Sequence, residues 1–157
     1  MRILRFMGYP IQNFSTLEIM MVKQAQTLRE LGHDVELVFD GVRRETAKVA
    51  AEQFAPEIKM HFNFPNLVDQ GGAAQSLRYF RAAYKVLKKQ HFDIVHMYFD
   101  PSARVLNQLA RFFPNTIFIR TIGSTPVMRG KHVWLSSIKK NKWCFDLSGI
   151  SAVVCVG

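Results

Sequence analysis

Cysteine is scarce in this chain: Cys144 and Cys155 are the only two among 157 residues. Two thiols are too few for a disulfide framework, and they read as free thiols in a reducing compartment. Long apolar runs are missing as well. No stretch approaches the roughly 18 uncharged apolar residues that a membrane span needs. The N-terminal "MRILRFM" is too short for a signal-peptide core and is interrupted by Arg5, which argues against export. The histidines (His33, His61, His91, His96 and His132) have no ligand spacing to one another or to the cysteines, so a zinc site is not expected. The loop after the first strand-like run lacks G-x-G-x-x-G and a P-loop lysine, which disfavours NAD and ATP.

Acidic residues thin out along the chain. Residues 1–69 carry eight Lys/Arg against nine Asp/Glu, whereas residues 70–157 carry thirteen against three. Between Asp100 and Asp146 there is no acid at all, while eight bases occur. The net charge of +9 therefore belongs to the second half. Such asymmetry predicts an anionic partner: nucleic acid, a phosphate-bearing substrate or anionic lipid.

Six runs have strand character: "RILRFM" (2–7), "VELVF" (35–39), "IKMHF" (58–62), "DIVHMYF" (93–99), "TIFIR" (116–120) and "AVVCV" (152–156). Several are continuous and β-branched, as parallel strands covered on both faces require. Helical patterns separate them. Residues 16–31 place Leu17, Met20, Met21, Leu28 and Leu31 mostly on one face, with Gly32 as the candidate terminator. Residues 43–54 form a weaker helix. Residues 73–90 carry an apolar stripe of Leu77, Phe80, Ala83, Tyr84 and Leu87 behind a loop marked by Gly71 and Gly72. Pro101 can open a helix that runs to about Phe112. Alternation of this kind predicts an α/β fold: a doubly wound, mostly parallel Rossmann-like sheet with helices on both faces, read as a single domain over residues 1–157.

Loops at the carboxyl ends of such strands build the ligand crevice. The first is "GYPIQNFSTLE", residues 8–18, whose Ser15 and Glu18 form an S-x-x-E capping box. Helix-start amides near Thr16 and Leu17 could instead greet an anion or a sugar hydroxyl. His96, Tyr98 and Asp100 lie at the end of the fourth strand. Gly123 and Ser124 follow the fifth, where backbone amides could meet a phosphate or sugar. The alternatives are a satisfied core histidine and a plain turn.

Basic residues form two further features. Arg78, Arg81, Lys85 and Lys88, with Lys89 beside them, fall on one stripe of the third helix, which is either a solvated face or an attachment to anionic lipid. The stretch 129–143 mixes Trp134, Leu135, Ile138 and Trp143 with Lys131, Lys139, Lys140 and Lys142, a blend that suits a membrane interface or a helix packed on the sheet. Nucleic acid ranks below lipid, since no RRM, KH or helix-turn-helix pattern is present.

The segments "MRILRFMGYP…STLEIMMVKQAQTLRELGHDVELV", "FDIVHMYFDPSA", "TIFIRTIGS" and "SGISAVVCVG", taken in order, resemble the N-terminal domain of GT-B glycosyltransferases of the glycogen-synthase-like retaining group. The similarity covers nearly the whole chain. It implies one half of a GT-B fold, the half that binds the acceptor through Gly8, Tyr9, Asn13, Ser15, Thr16, Glu18, His96, Tyr98, Asp100, Arg120, Gly123 and Ser124. A nucleotide-diphosphate sugar would be the donor, held by a C-terminal donor-binding domain that this sequence lacks; the half present needs no cofactor of its own. The acceptor would be a sugar or lipid-linked molecule, handled in the cytoplasm or at the inner face of the membrane. Alone, this half should not turn over.

Two departures from that pattern stand out. "NFST" replaces the usual glycine pair before the glutamate, and Ile122 replaces the histidine that precedes Gly123, leaving Arg120 and Thr121 as candidate substitutes. They keep two alternatives open: a non-catalytic Rossmann-like binding module, and part of a GT-B-shaped nucleotide-sugar epimerase.

Overall fold

The computed structural model describes residues 1–67, 72–98, 103–123 and 152–156. All six strand-like runs form strands: β1 Arg2–Phe6, β2 Asp34–Val38, β3 Lys59–His61, β4 Ile94–Met97, β5 Ile117–Gly123 and β6 Ala152–Val156. Four helices lie between them: α1 Thr16–Glu30, α2 Glu45–Phe54, α3 Ala73–Lys89 and α4 Ala103–Ala110. The strands make one sheet in the order β3-β2-β1-β4-β5-β6, and every neighbouring pair is parallel. This is the doubly wound Rossmann-like arrangement, in which strand order reverses between β1 and β4.

Strand alternation sorts the core into two halves. Leu4, Phe6, Val95, Met97 and Phe118 point to one face and pack with Tyr79, Ala83 and Leu87 of α3 and Leu106 and Leu109 of α4. Ile3, Val35, Leu37 and Phe39 point to the other and pack with Met21, Val22 and Ala25 of α1 and Ala47 and Ala51 of α2. Right-handed crossovers explain the division. Steps from β1 outward to β2 and β3 place their helices on one face, and steps the other way place theirs on the opposite face.

The same rule leaves half of one face open among the described residues. On the α1 side, the β4–β5 half meets only the flank of α1, and Ile117 is 49% exposed. This changes which side of α1 is buried. Leu17 and Met20, expected on the apolar stripe, are exposed, as is Leu31; Met21, also expected there, is buried, together with Glu18, Val22 and Ala25. On α3 the expected Leu77 is likewise 50% exposed, and Tyr79 takes its place in the core. Tyr79 packs edge-on against Phe64, with ring centroids 5.5 Å apart, and is tilted against Phe6 at 6.3 Å.

Helix ends follow their sequence signals. Gly32 closes α1 with φ 83°, a conformation that glycine adopts without strain. Its N–H donates to the Arg29 carbonyl at 2.8 Å, and the His33 N–H donates to that of Leu28 at 3.0 Å, a Schellman closure. At the other end of α1, Ser15 and Glu18 form the expected capping box. Pro101, placed at the start of the fourth helix by the sequence, lies outside the described residues, as do Gly71 and the stretch 129–143.

Candidate functional site

The reversal of strand order between β1 and β4 is where ligands bind in open α/β sheets. A groove of about 860 Å³ lies beside it, between the exposed flank of α1 and the sheet face of β1, β4 and β5. Its walls are mostly aliphatic, with Ile3, Ile19, Met20, Leu28, Ile94 and Ile119 prominent. Its polar groups converge from different elements: Arg5 from β1, Gln24 from α1, His96 from β4 and Tyr98 just beyond it.

Arg5 is the unusual member. It sits inside a strand and is 2% exposed. Among the described residues the guanidinium bonds only to neutral groups. Nη2 donates to Gln24 Oε1 at 2.7 Å and contacts the Tyr98 hydroxyl, while Nη1 approaches the Met21 carbonyl at 3.5 Å. Nε is buried without a hydrogen-bond partner among the described residues. Tyr98 supplies its ring as well, with the guanidinium carbon 4.7 Å from the centroid. Desolvation lowers the Arg5 pKa to about 10, which leaves it charged at neutral pH.

His96 is half-buried beside it. Its Nε2 lies 2.7 Å from Thr121 Oγ1 of β5, and its ring is 4.2 Å from that of Tyr98. Burial, then the Arg5 charge, push its pKa down to about 4, so the imidazole is neutral at pH 7. A neutral imidazole can donate or accept one hydrogen bond to a ligand hydroxyl without bringing a second charge beside Arg5.

The first loop forms the upper border. Gly8 turns the chain with φ 73°. The loop is stitched to the β2–α2 connection: Ile11 N–H donates to the Gly41 carbonyl at 3.0 Å, Arg43 N–H to the Ile11 carbonyl at 2.8 Å, and the Arg44 guanidinium to Asn13 Oδ1 at 3.2 Å. The Glu18 carboxylate accepts from the Ser15 N–H at 3.2 Å and from its hydroxyl at 2.9 Å. Thr16, the first residue of α1, lines the groove. Tyr9 is half-buried on Phe39, and burial, then the Glu18 charge, push its phenol pKa up.

The structure therefore gathers Thr16, His96 and Tyr98 at one groove, with Gly8, Tyr9, Asn13, Ser15 and Glu18 ordering the loop above it. Arg120 is not part of that group. It follows Ile119, which lines the groove, and precedes Thr121, so alternation turns its buried side chain to the α3–α4 face with Phe118. Gly123 ends β5. Asp100, Ser124, Lys139, Lys140 and Lys142 lie outside the described residues.

Sequence reasoning missed two groups. Arg5 had a legible signal, a lone charge inside an otherwise apolar strand, but its contact with Gln24 and Tyr98 depends on strand order. Asp40 follows β2, where dinucleotide folds present an acid to the ribose. Here the carboxyl is fully buried: the Tyr79 hydroxyl donates to Oδ1 at 2.8 Å, and Oδ2 has no hydrogen-bond partner among the described residues. Burial, opposed by the Tyr79 hydrogen bond, raises the Asp40 pKa to about 7. This acid faces the core and is not offered to a ribose.

The basic residues of α3 stand apart from the groove, on the opposite side of the sheet. Arg78, Arg81, Lys85, Lys88 and Lys89 are all exposed, and none has a carboxylate partner among the described residues. Beside them a second hollow of about 780 Å³ is lined by Leu77, Phe80 and Phe112, among others.

Strand order and the two-faced helix layers define a Rossmann-like doubly wound α/β domain. No protein-family model matches the chain, and no curated protein matches it. Among the described residues, no helix is long and apolar enough to cross a membrane.

Proposed function

We propose that this chain is the acceptor-side domain of a nucleotide-sugar-dependent retaining glycosyltransferase and that its acceptor lies at the β1–β4 switch point. The observation that supports this reading most is the convergence of Arg5, His96 and Tyr98 on one groove beneath a tightly pinned first loop. Neutral His96 suits a hydroxyl acceptor, which needs a hydrogen-bonding partner for orientation and no competing charge. The order of sequence segments, from "MRILRFMGYP" to "SGISAVVCVG", supports the transferase assignment. The diphosphate leaving group would be stabilised by a separate donor-binding domain.

The test is nucleoside diphosphate release from a panel of nucleotide sugars by the gene product at its full natural length. His96→Ala is expected to slow it about tenfold, the equivalent of one hydrogen bond worth about 1.4 kcal/mol. Release unaffected by His96→Ala would remove the histidine from the site. Binding without turnover across the panel would leave a non-catalytic binding module; sugar epimerisation without transfer would assign an epimerase.

A second reading concerns location. The cations of α3, which have no carboxylate partner among the described residues, lie next to an aromatic hollow at Phe80 and Phe112 and favour attachment of this face to an anionic membrane surface.

A further inference from the structure

The Arg5 groove combines two properties that rarely serve packing alone. First, a guanidinium is 98% buried with only neutral partners among the described residues, although burying a charge without a counter-charge is costly. Second, the exposed surface in front of it is largely apolar, with Ile19, Met20, Ile94 and Ile119 on its walls. Among the described residues no carboxylate lines the groove, and Lys23 adds a further positive charge on the α1 wall. A plain sugar would use the polar groups but leave the aliphatic wall uncovered. A fully apolar molecule would leave the guanidinium uncompensated.

We propose that the groove binds an amphipathic anion, with its carboxylate or phosphate on Arg5 and its hydrocarbon chain along Ile19, Met20, Ile94 and Ile119. The inference deepens the acceptor-site reading above, because it names the chemistry of what occupies that site. Gln24 is exposed and accepts from the same Nη2 that an anion would take. Swinging its amide aside exchanges a neutral acceptor for a charged one, which makes the stronger hydrogen bond. The Tyr98 hydroxyl, also in contact with Arg5, would provide a second donor to the same head group. The chain then covers aliphatic surface that the described residues leave open on the β4–β5 half of the sheet.

The experiment is calorimetric titration of the protein with decyl phosphate and decanoate, both kept below micelle formation, with decanol and inorganic phosphate as controls. At least one of the two amphiphiles should bind, and whichever binds identifies the head group as phosphate or carboxylate. Decanol and inorganic phosphate should bind at least about tenfold more weakly, since each supplies only half of the recognition. Arg5→Met should weaken amphiphile binding by about ten- to a hundredfold, the span of a hydrogen bond to a charged group.

Should Arg5→Met fail to fold, Met20→Glu decides, because its site is exposed on the groove wall and the new charge repels an anion. Binding that survives Met20→Glu, binding equal in Arg5→Met and wild type, or decanol binding as tightly as the anions would each overturn the proposal. So would no binding by either amphiphile. That failure, alongside nucleotide-sugar turnover that still depends on His96, would remove the amphiphile and leave the transferase reading standing; amphiphile binding without turnover would do the reverse.

Discussion

The Arg5 guanidinium lies 4.7 Å from the centre of the Tyr98 ring. One residue comes from β1 and the other from just past β4, so the pair bridges the point at which strand order reverses. A cation on an aromatic face is held by the ring quadrupole, at about 1–2 kcal/mol when desolvated. The two side chains fix each other where the fold places its ligand crevice.

Arg5 is expected to cost stability relative to an apolar side chain of similar length. Replacing a buried charge that lacks a good counter-ion by a hydrophobic residue is often neutral or stabilising by about 1–4 kcal/mol. Arg5→Met should therefore leave the urea midpoint unchanged or raise it. A loss above about 3 kcal/mol would show that the charge is a structural requirement.

Glu36 should govern acid stability. It is almost fully buried at the β2–β3 pair and accepts from Lys59 at 2.9 Å, from Gln90 at 2.5 Å, and shares a 2.6 Å contact with His61. Burial alone would raise its pKa, but the hydrogen bonds from His61, Lys59 and Gln90, with the Lys59 charge, outweigh it and set the value at about 2. A depressed carboxylate contributes stability above its unfolded pKa of 4.5 and loses it as pH falls toward 2. Glu36→Gln should cost about 1–3 kcal/mol at pH 7 and flatten the pH dependence between those values. Denaturation series at pH 7, 4.5 and 3 would check this.

Asp40 should act in the opposite sense. Its pKa rises from 3.8 unfolded to about 7 folded, so the native state holds the extra proton in between. Stability from this group falls as pH rises through that window, and the penalty is complete above about 7. His96, lowered from 6.5 to about 4, contributes the reverse slope over much of the same range, because the unfolded chain takes up its proton first. The two slopes offset each other in the wild type, so a difference measurement is needed. Asp40→Asn, measured against wild type, should gain stability progressively from pH 4 to 8, by about 1–3 kcal/mol at the top. A constant difference across that range would contradict the assignment.

The α3 stripe is expected to sediment with anionic liposomes at low salt and to release as salt rises, each cation near the surface contributing about 1 kcal/mol. Changing Arg78, Arg81, Lys85 and Lys88 together to glutamine should abolish co-sedimentation. Binding that persists in that variant would move the interaction elsewhere, and absence of binding in the wild type at low salt would remove it.

Much of the fold was legible because strand and helix leave different periodicities. "VELVF" and "TIFIR" are β-branched runs between helix stops, and "ELGHDV" spells a Schellman closure before the next strand. Ser15 and Glu18 were legible for the same local reason: their partners are three residues apart. The buried face of α1 was not. Leu17 and Met20 look like core residues in a helical projection, yet the strand order leaves their flank beside a half-sheet that is open among the described residues. Arg5 and Asp40 escaped notice because their environments are made by Tyr98 and Tyr79, which are far away in sequence. The sequence placed His96 and Tyr98 at the crevice, since both lie at the carboxyl end of a strand, but Arg120 turned to the other face because one residue of register reverses direction.

The most direct measurement is mapping of backbone amide shifts by NMR as the protein is titrated with decyl phosphate. The account requires the largest shifts at Arg5, Gln24, His96 and Tyr98, and loss of those shifts in Arg5→Met. Shifts confined to α3 and Phe112, with Arg5 and Tyr98 unmoved, would contradict it.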